Sequence, residues 1–405
     1  MTVSFEQAAW SWTEHLRAGG TRPWSEWVTA GEGTGAAVPN GWTPPGAAQL
    51  EVVRRAATVT GQGPPARYVD LVLARSGPAR GLANLPLGWP GTIAPQPFGP
   101  PRTDPAAVPE EELIRIGVGV LSDLLLLREY PHHGEWRVRR RPLSRGPAFQ
   151  LVGSPVTTAA VRRALAVAGQ IEAARPSRVA LLTGPFDAAV LEVWSARVQG
   201  GAPARWRGFV ARVAHHLPPS IDFSELARTW ADRLGPDAVH VVVSAGDSAE
   251  TTRVVAAALS APLGRAHSRR PSTPPPLVQL GPSAVDVVRR VNAILAVKAT
   301  EAQHADAVRH LQTVLRDTSA EPGARCRLTV PEPFQDWART QAERLTDDLR
   351  GRGYPVHGDL GRIVPVFHGV PTQPDRATVL RLVLEAGVGL AGAGGQSPTE
   401  EEQYR

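Results

Sequence analysis

The stretch FQLVGSPVTTAAVRRAL, Phe149 to Leu165, decides how the chain is read. Its first four residues are uncharged and mostly apolar, as a buried parallel strand is. Gly153 and Pro155 then break the extended pattern, and the alanine-rich run after them has helical spacing. A strand, a tight turn and a helix start form the setting in which backbone N–H groups hold a phosphate. Gly153, Ser154, Thr157 and Thr158 are therefore the candidate cofactor-binding residues. The turn has a single glycine, and Val156 stands where a phosphate loop carries lysine.

Working outward, two more β-rich runs, each uncharged or nearly so along its centre, follow AFQLVG (148–153): RVALLT (178–183) and AVHVVVS (238–244). Between them lie AAVRRALAVAGQIEAA, FDAAVLEVWSARVQGG and FSELARTWADRLG, with apolar residues at helical spacing. Alternation of this kind predicts an α/β fold with a central parallel sheet flanked by helices.

The 405 residues are 42% hydrophobic, enough for a full core and long enough for about two to three domains. The first twenty residues carry charges and tryptophans instead of an apolar stretch, so no secretory leader is expected in them. No run of apolar residues is long enough to span a bilayer, and a soluble, cytoplasmic protein is expected. One cysteine, Cys326, leaves no internal disulfide and no cysteine-rich metal site. All but one of the 44 basic residues are arginine, so the net charge of +6 reads as arginine-biased composition more than as a nucleic-acid footprint. Any lysine-dependent chemistry has to use Lys298.

Internal similarity organises the rest. WTEHLRAGGTRPWSEWV (Trp12–Val28) aligns without a gap to WSARVQGGAPARWRGFV (Trp194–Val210), matching Trp12 to Trp194, Gly19 to Gly201 and Trp24 to Trp206. GAAQLEVVRRA (Gly46–Ala56) matches GPSAVDVVRRV (Gly281–Val291), and a weaker echo joins Val108–Leu121 to Gln373–Leu390. The chain thus reads as a truncated, mainly helical half-copy over 1–130 and a basic linker over 131–147. A complete α/β copy over 148–392 and a tail over 393–405 follow.

Over about 148–366 the second copy resembles bacterial sulfotransferases that use 3′-phosphoadenosine-5′-phosphosulfate (PAPS). The resemblance rests on FQLVGSPVTTAAVRRAL, RVALLTGPFDAAVLEVWSARVQGG, FSELARTWADRLGPDAVHVVVS, GPSAVDVVRRVNAIL and PFQDWARTQAERLTDDLRGRGYPVHGDLGRIVP, which stand in the family's order. It implies a sulfotransferase-like P-loop fold. It also implies that a loop lysine and several hydroxyls should grip the phosphosulfate, and that an arginine-aspartate pair after the strand, with another arginine on the following helix, should grip the 3′-phosphate. Here Val156 replaces the lysine, Thr158 a glycine, and Ala159 and Ala160 the hydroxyls. Gly184, Pro185 and Ala188 stand at the 3′-phosphate positions. With both grips missing, no cofactor is expected, and PAPS only if the protein is active.

A sulfotransferase also needs a base for the acceptor hydroxyl. His215 and His216 are the candidate catalytic residues, with Glu192 and Asp187 behind them; a solvated helix end is the competing reading. The run Arg137, Arg139, Arg140, Arg141 and Arg145 is a candidate anion-binding patch for a glycan or nucleic acid, against the preferred reading of a solvated linker. His304 and His310 are six apart, which puts them on different helix faces, and with HHGEW and HGD they give no metal site. The five tryptophans Trp12, Trp24, Trp27, Trp194 and Trp206 read as packing residues.

Three functions follow as expectations. The preferred one is a non-catalytic interaction or regulatory subunit, partnered by a related sulfotransferase or another protein. The others are an active sulfotransferase on a carbohydrate or small hydroxylated metabolite, and an anion binder working through Arg137–Arg145. No membrane partner is expected, and nucleic acid is disfavoured.

Overall fold

The structure is a computed structural model that describes residues 5–30, 43–44, 46–75, 104–128, 130, 148–244, 246–261, 277–318 and 328–393. The arginine run 137–145, the histidines of HHGEW and Cys326 lie outside the described residues. In chain order the first helices are α1 (Phe5–Arg17), α2 (Trp24–Thr29), α3 (Ala47–Thr60), α4 (Ala66–Leu73) and α5 (Glu110–Leu126). Strand β1 (Phe149–Gly153), α6 (Pro155–Val167), β2 (Arg178–Thr183), α7 (Phe186–Gln199), α8 (Trp206–His215) and α9 (Phe223–Leu234) follow. Next come β3 (Val239–Val243), α10 (Ser248–Ala258), α11 (Pro282–Lys298) and α12 (Glu301–Thr318). The chain closes with α13 (Gln335–Gly351), β4 (Val356–His357) and α14 (Arg376–Ala393).

Two compact units result, and both are discontinuous. One comprises Met1–Tyr130, Arg290–Ala320 and Asp375–Arg405; the other comprises Pro131–Arg289 and Glu321–Pro374. The segment 1–130 falls whole into the first unit, whereas the segment 148–392 is divided between the two.

The second unit holds a four-stranded sheet, entirely parallel, in the order β1-β2-β3-β4. The three expected strands form where their uncharged runs lie, and a parallel neighbour requires the helical crossovers that separate them. β4 is only two residues long, pairing Val241 with Val356 and Val242 with His357. Alternation divides the strands between two faces. Phe149, Leu151, Ala180, Leu182 and Val242 pack with Val161 and Leu165 of α6, Val255 of α10 and Leu259 just after it. The intervening Val179, Leu181, Val239 and Val241 are equally buried, and α9 packs along the sheet with Phe223 and Ala227 inside. α9 starts where Asp222 accepts a hydrogen bond from the Glu225 N–H, the expected role of an aspartate at a helix start.

Among its described residues the first unit has helices and no strand. α5 packs along α14 and α3, burying Leu113, Ile114, Val120 and Leu121 with Val379, Leu382 and Val383. Lys298 belongs here and forms an ion pair with Asp123 at 3.0 Å; Asp123 also receives Arg75.

The two tryptophan stretches fold alike. The Trp12 indole N–H donates to the Arg22 carbonyl at 3.0 Å, and Trp194 donates to the Ala204 carbonyl at 2.7 Å, ten residues on in both cases. Ring centroids of Trp12 and Trp24 lie 5.2 Å apart, and those of Trp194 and Trp206 5.4 Å apart. Each first helix ends at a glycine with positive φ, Gly19 at 90° and Gly201 at 99°, where L residues are strained. The helix ends are also closed identically. Gly20 and Ala202 donate to the carbonyls of His15 and Arg197, and Gly19 and Gly201 to those of Leu16 and Val198. The second echo repeats as well: Arg54 reaches back to Glu51 at 2.7 Å, and Arg289 to Asp286 at 2.6 Å.

Candidate functional site

The site is built at the carboxyl ends of the parallel strands, where open α/β sheets bind their ligands. β1 ends at Gly153, with φ at 112°. A Cβ there would sit 2.0 Å from the Leu182 carbonyl oxygen of β2, so both conformation and space demand glycine. The Ser154 N–H donates to that same carbonyl at 3.0 Å. α6 begins at once with Pro155 at its first position, where a missing N–H is harmless. The turn is therefore tight, and Thr158 lies within α6 instead of occupying a left-handed loop position.

The N–H groups of a helix's first turn have no partner inside the helix. In α6 they are taken by a side chain 36 residues away. Glu192 on α7 accepts from the Val156 N–H and the Thr157 N–H, each at 2.9 Å, and from the Thr157 hydroxyl at 2.5 Å. A carboxylate thus fills the place that a phosphate takes at such a turn. Burial pushes the Glu192 carboxyl above its ordinary range, and the Thr157 hydroxyl and the two N–H groups pull it part of the way back. Burial outweighs them.

Beside this contact lies a cavity of about 640 Å³. Ser154 contributes after β1, Thr183 and Gly184 at β2, Ser244 after β3, and Asp359 after β4. Two further helix starts in this region carry their own carboxylates. Asp247 caps α10 through the Ala249 N–H at 2.9 Å, and Asp359 caps the turn Leu360–Ile363 through the Gly361 N–H at 2.8 Å. Arg362, which is exposed, is the one cation among the described residues lining the cavity. At the expected 3′-phosphate positions, Gly184, Pro185 and Ala188 line the wall without any charge.

The structure brings together some sequence candidates and separates others. Ser154 and Thr157 line the cavity, Gly153 shapes the turn, and Thr158 is buried outside the lining. His215 ends α8 and His216 follows it, both exposed and neither lining the cavity. Asp187 is buried and accepts from the Thr329 hydroxyl at 2.9 Å. His304 bonds Asn292 at 3.1 Å, and His357 bonds His240 at 3.1 Å. Arg137, Arg139, Arg140 and Arg141 fall outside the described residues.

Sequence reasoning reached Glu192 only as a secondary base and missed its contact with the loop. The available signal was a loop without a cation, followed by an acidic residue on the next helix of the same unit. Asp359 and Arg362 carry no such signal: HGD reads only as a metal motif, and HGDLGRIVP only as part of the resemblance. Among the described residues no group of three His, Cys, Asp or Glu side chains could hold a metal ion, and no helix is long and apolar enough to cross a membrane. Comparison of the chain with protein-family models, curated proteins and solved structures returned no match.

Proposed function

We propose that the chain is a non-catalytic, sulfotransferase-like protein, an interaction or regulatory subunit whose phosphosulfate grip is held by its own Glu192. The observation that carries this reading is the three-donor contact of Glu192 with Val156 and Thr157. An active site of this class needs those donors free for the cofactor and a cation to stabilise the leaving phosphate. The donors are engaged, Val156 supplies no charge, and Lys298 is paired with Asp123 in the other compact unit. The matching Trp12 and Trp194 motifs support a partial internal duplication as the origin of the chain.

The test is sulfuryl transfer from labelled PAPS across a panel of carbohydrates and small hydroxylated metabolites. No transfer above the protein-free control is expected. Transfer that falls when Thr157 is replaced by valine would establish the active reading instead.

A further inference from the structure

β4 is the thinnest part of the sheet. Its two residues pair with Val241 and Val242 on one side, supplemented by the Val241 N–H donating to the Pro355 carbonyl at 2.8 Å. An edge strand this short has few backbone bonds to hold it. A side-chain bond adds to them: His240 Nδ1 on β3 lies 3.1 Å from His357 Nε2 on β4, with ring centroids 5.4 Å apart. The register places His240, His357 and Arg178 of β2 on one face of the sheet, at the end of the α6–α10 core. The groups facing His240 are His357 from β4 and Arg178 from β2; from the end of α10 comes the neutral Ser260, which receives Arg178 at 2.8 Å. Among the described residues no carboxylate acts on His240.

Immediately after His357 the chain enters the cavity wall. Gly358 turns it with φ at 106°, and Asp359, Gly361, Arg362, Val364 and Val366 then line the cavity. We propose that the His240–His357 pair is a proton-operated clasp, which holds β4 on the sheet at neutral pH and releases β4 and the Asp359–Val366 wall on acidification.

The mechanism needs only proton uptake from solvent. One ring donates its N–H and the other accepts, so the bond exists when the accepting nitrogen is bare. The first proton makes one ring an imidazolium that donates to the still-neutral other ring, so the bond survives it. A second proton puts an N–H on both facing nitrogens, breaks the bond and leaves two imidazolium charges beside Arg178. Burial, with the neighbouring His357 ring and the Arg178 guanidinium, holds His240 below its ordinary range, so neutral solution keeps the clasp closed.

Hydrogen exchange of the full-length protein, read by mass spectrometry on peptides covering 354–366 and corrected for intrinsic rates, tests the clasp. Protection there should fall at least about tenfold between about pH 7.5 and about pH 5.5 while peptides from β1 and β2 change less than about twofold. In His240→Asn the region should be weakly protected at both pH values, with the pH dependence gone. Side-chain NMR of the wild type gives a reading that does not depend on the variant folding: the two imidazoles should titrate as a coupled pair. Unchanged protection in the wild type, a pH dependence that survives His240→Asn, or two independent titrations would each overturn the clasp.

Discussion

Replacing Glu192 by alanine removes the acceptor of three donors at once. Loss of a helix N-cap costs about 0.5–2 kcal/mol. The Thr157 hydroxyl bond adds about 0.5–1.5 kcal/mol. Burial of the carboxylate works in the opposite direction, so the net loss should be about 2 kcal/mol. For a unit of this size that is a fall in Tm of about 4–8 °C. The effect also depends on pH. Because the folded-state pKa of Glu192 is raised, the folded protein takes up this proton before the unfolded chain does. The wild type therefore gains on Glu192→Ala as pH falls through the folded-state value, with the gain complete below the ordinary carboxylate range. Thermal unfolding followed by circular dichroism at about pH 8 and about pH 5 reads both quantities, the gap being wider at the lower pH. Glu192→Gln provides the internal control: its oxygen can accept the two N–H groups and its NH₂ can donate to Thr157. It should keep most of the stability and lose the pH term. Equal melting of the wild type and the alanine variant at both pH values would refute the capping role of Glu192.

Two other substitutions test the frame around the site. Gly153→Ala forces a Cβ toward the Leu182 carbonyl at a positive φ. It should cost more than about 2 kcal/mol by urea denaturation; a neutral outcome would mean that the β1–α6 turn is misplaced. Trp12→Phe and Trp194→Phe each remove one indole N–H bond and part of one buried ring. Each should cost about 1–2 kcal/mol, and a large difference between the two would undo the structural equivalence of the stretches.

Much of the second unit was legible because buried parallel strands carry their own signal. Val179 to Thr183 and Val239 to Val243 hold no charge beyond one histidine, and helical periodicity located α7 and α9 within a residue or two. Gly153 was legible for the same local reason. What stayed hidden depends on contacts distant in sequence. β4 is two residues, too short for any periodicity, and exists only because β3 offers an edge. The strip VLRLVLEAGVGL of α14 is apolar enough to belong to any core, and nothing local tells it to pack along α5. Glu192 reads as an ordinary acidic position on a helix until the fold places α7 beside the first turn of α6. Thr158, which stands at a glycine position of the resembled loop, lies in regular helical conformation because the helix begins at Pro155.

The central claim is that the α6 grip is filled from within. An ionised Glu192 at about 4 Å from a phosphate costs about 4 kcal/mol per unit of like charge at an effective dielectric of about 20, close to three orders of magnitude in affinity. Isothermal titration calorimetry of the wild type with adenosine 3′,5′-bisphosphate measures this directly. The account predicts no saturable heat up to about millimolar nucleotide. Micromolar binding that is lost when Thr157 is replaced by valine would contradict it.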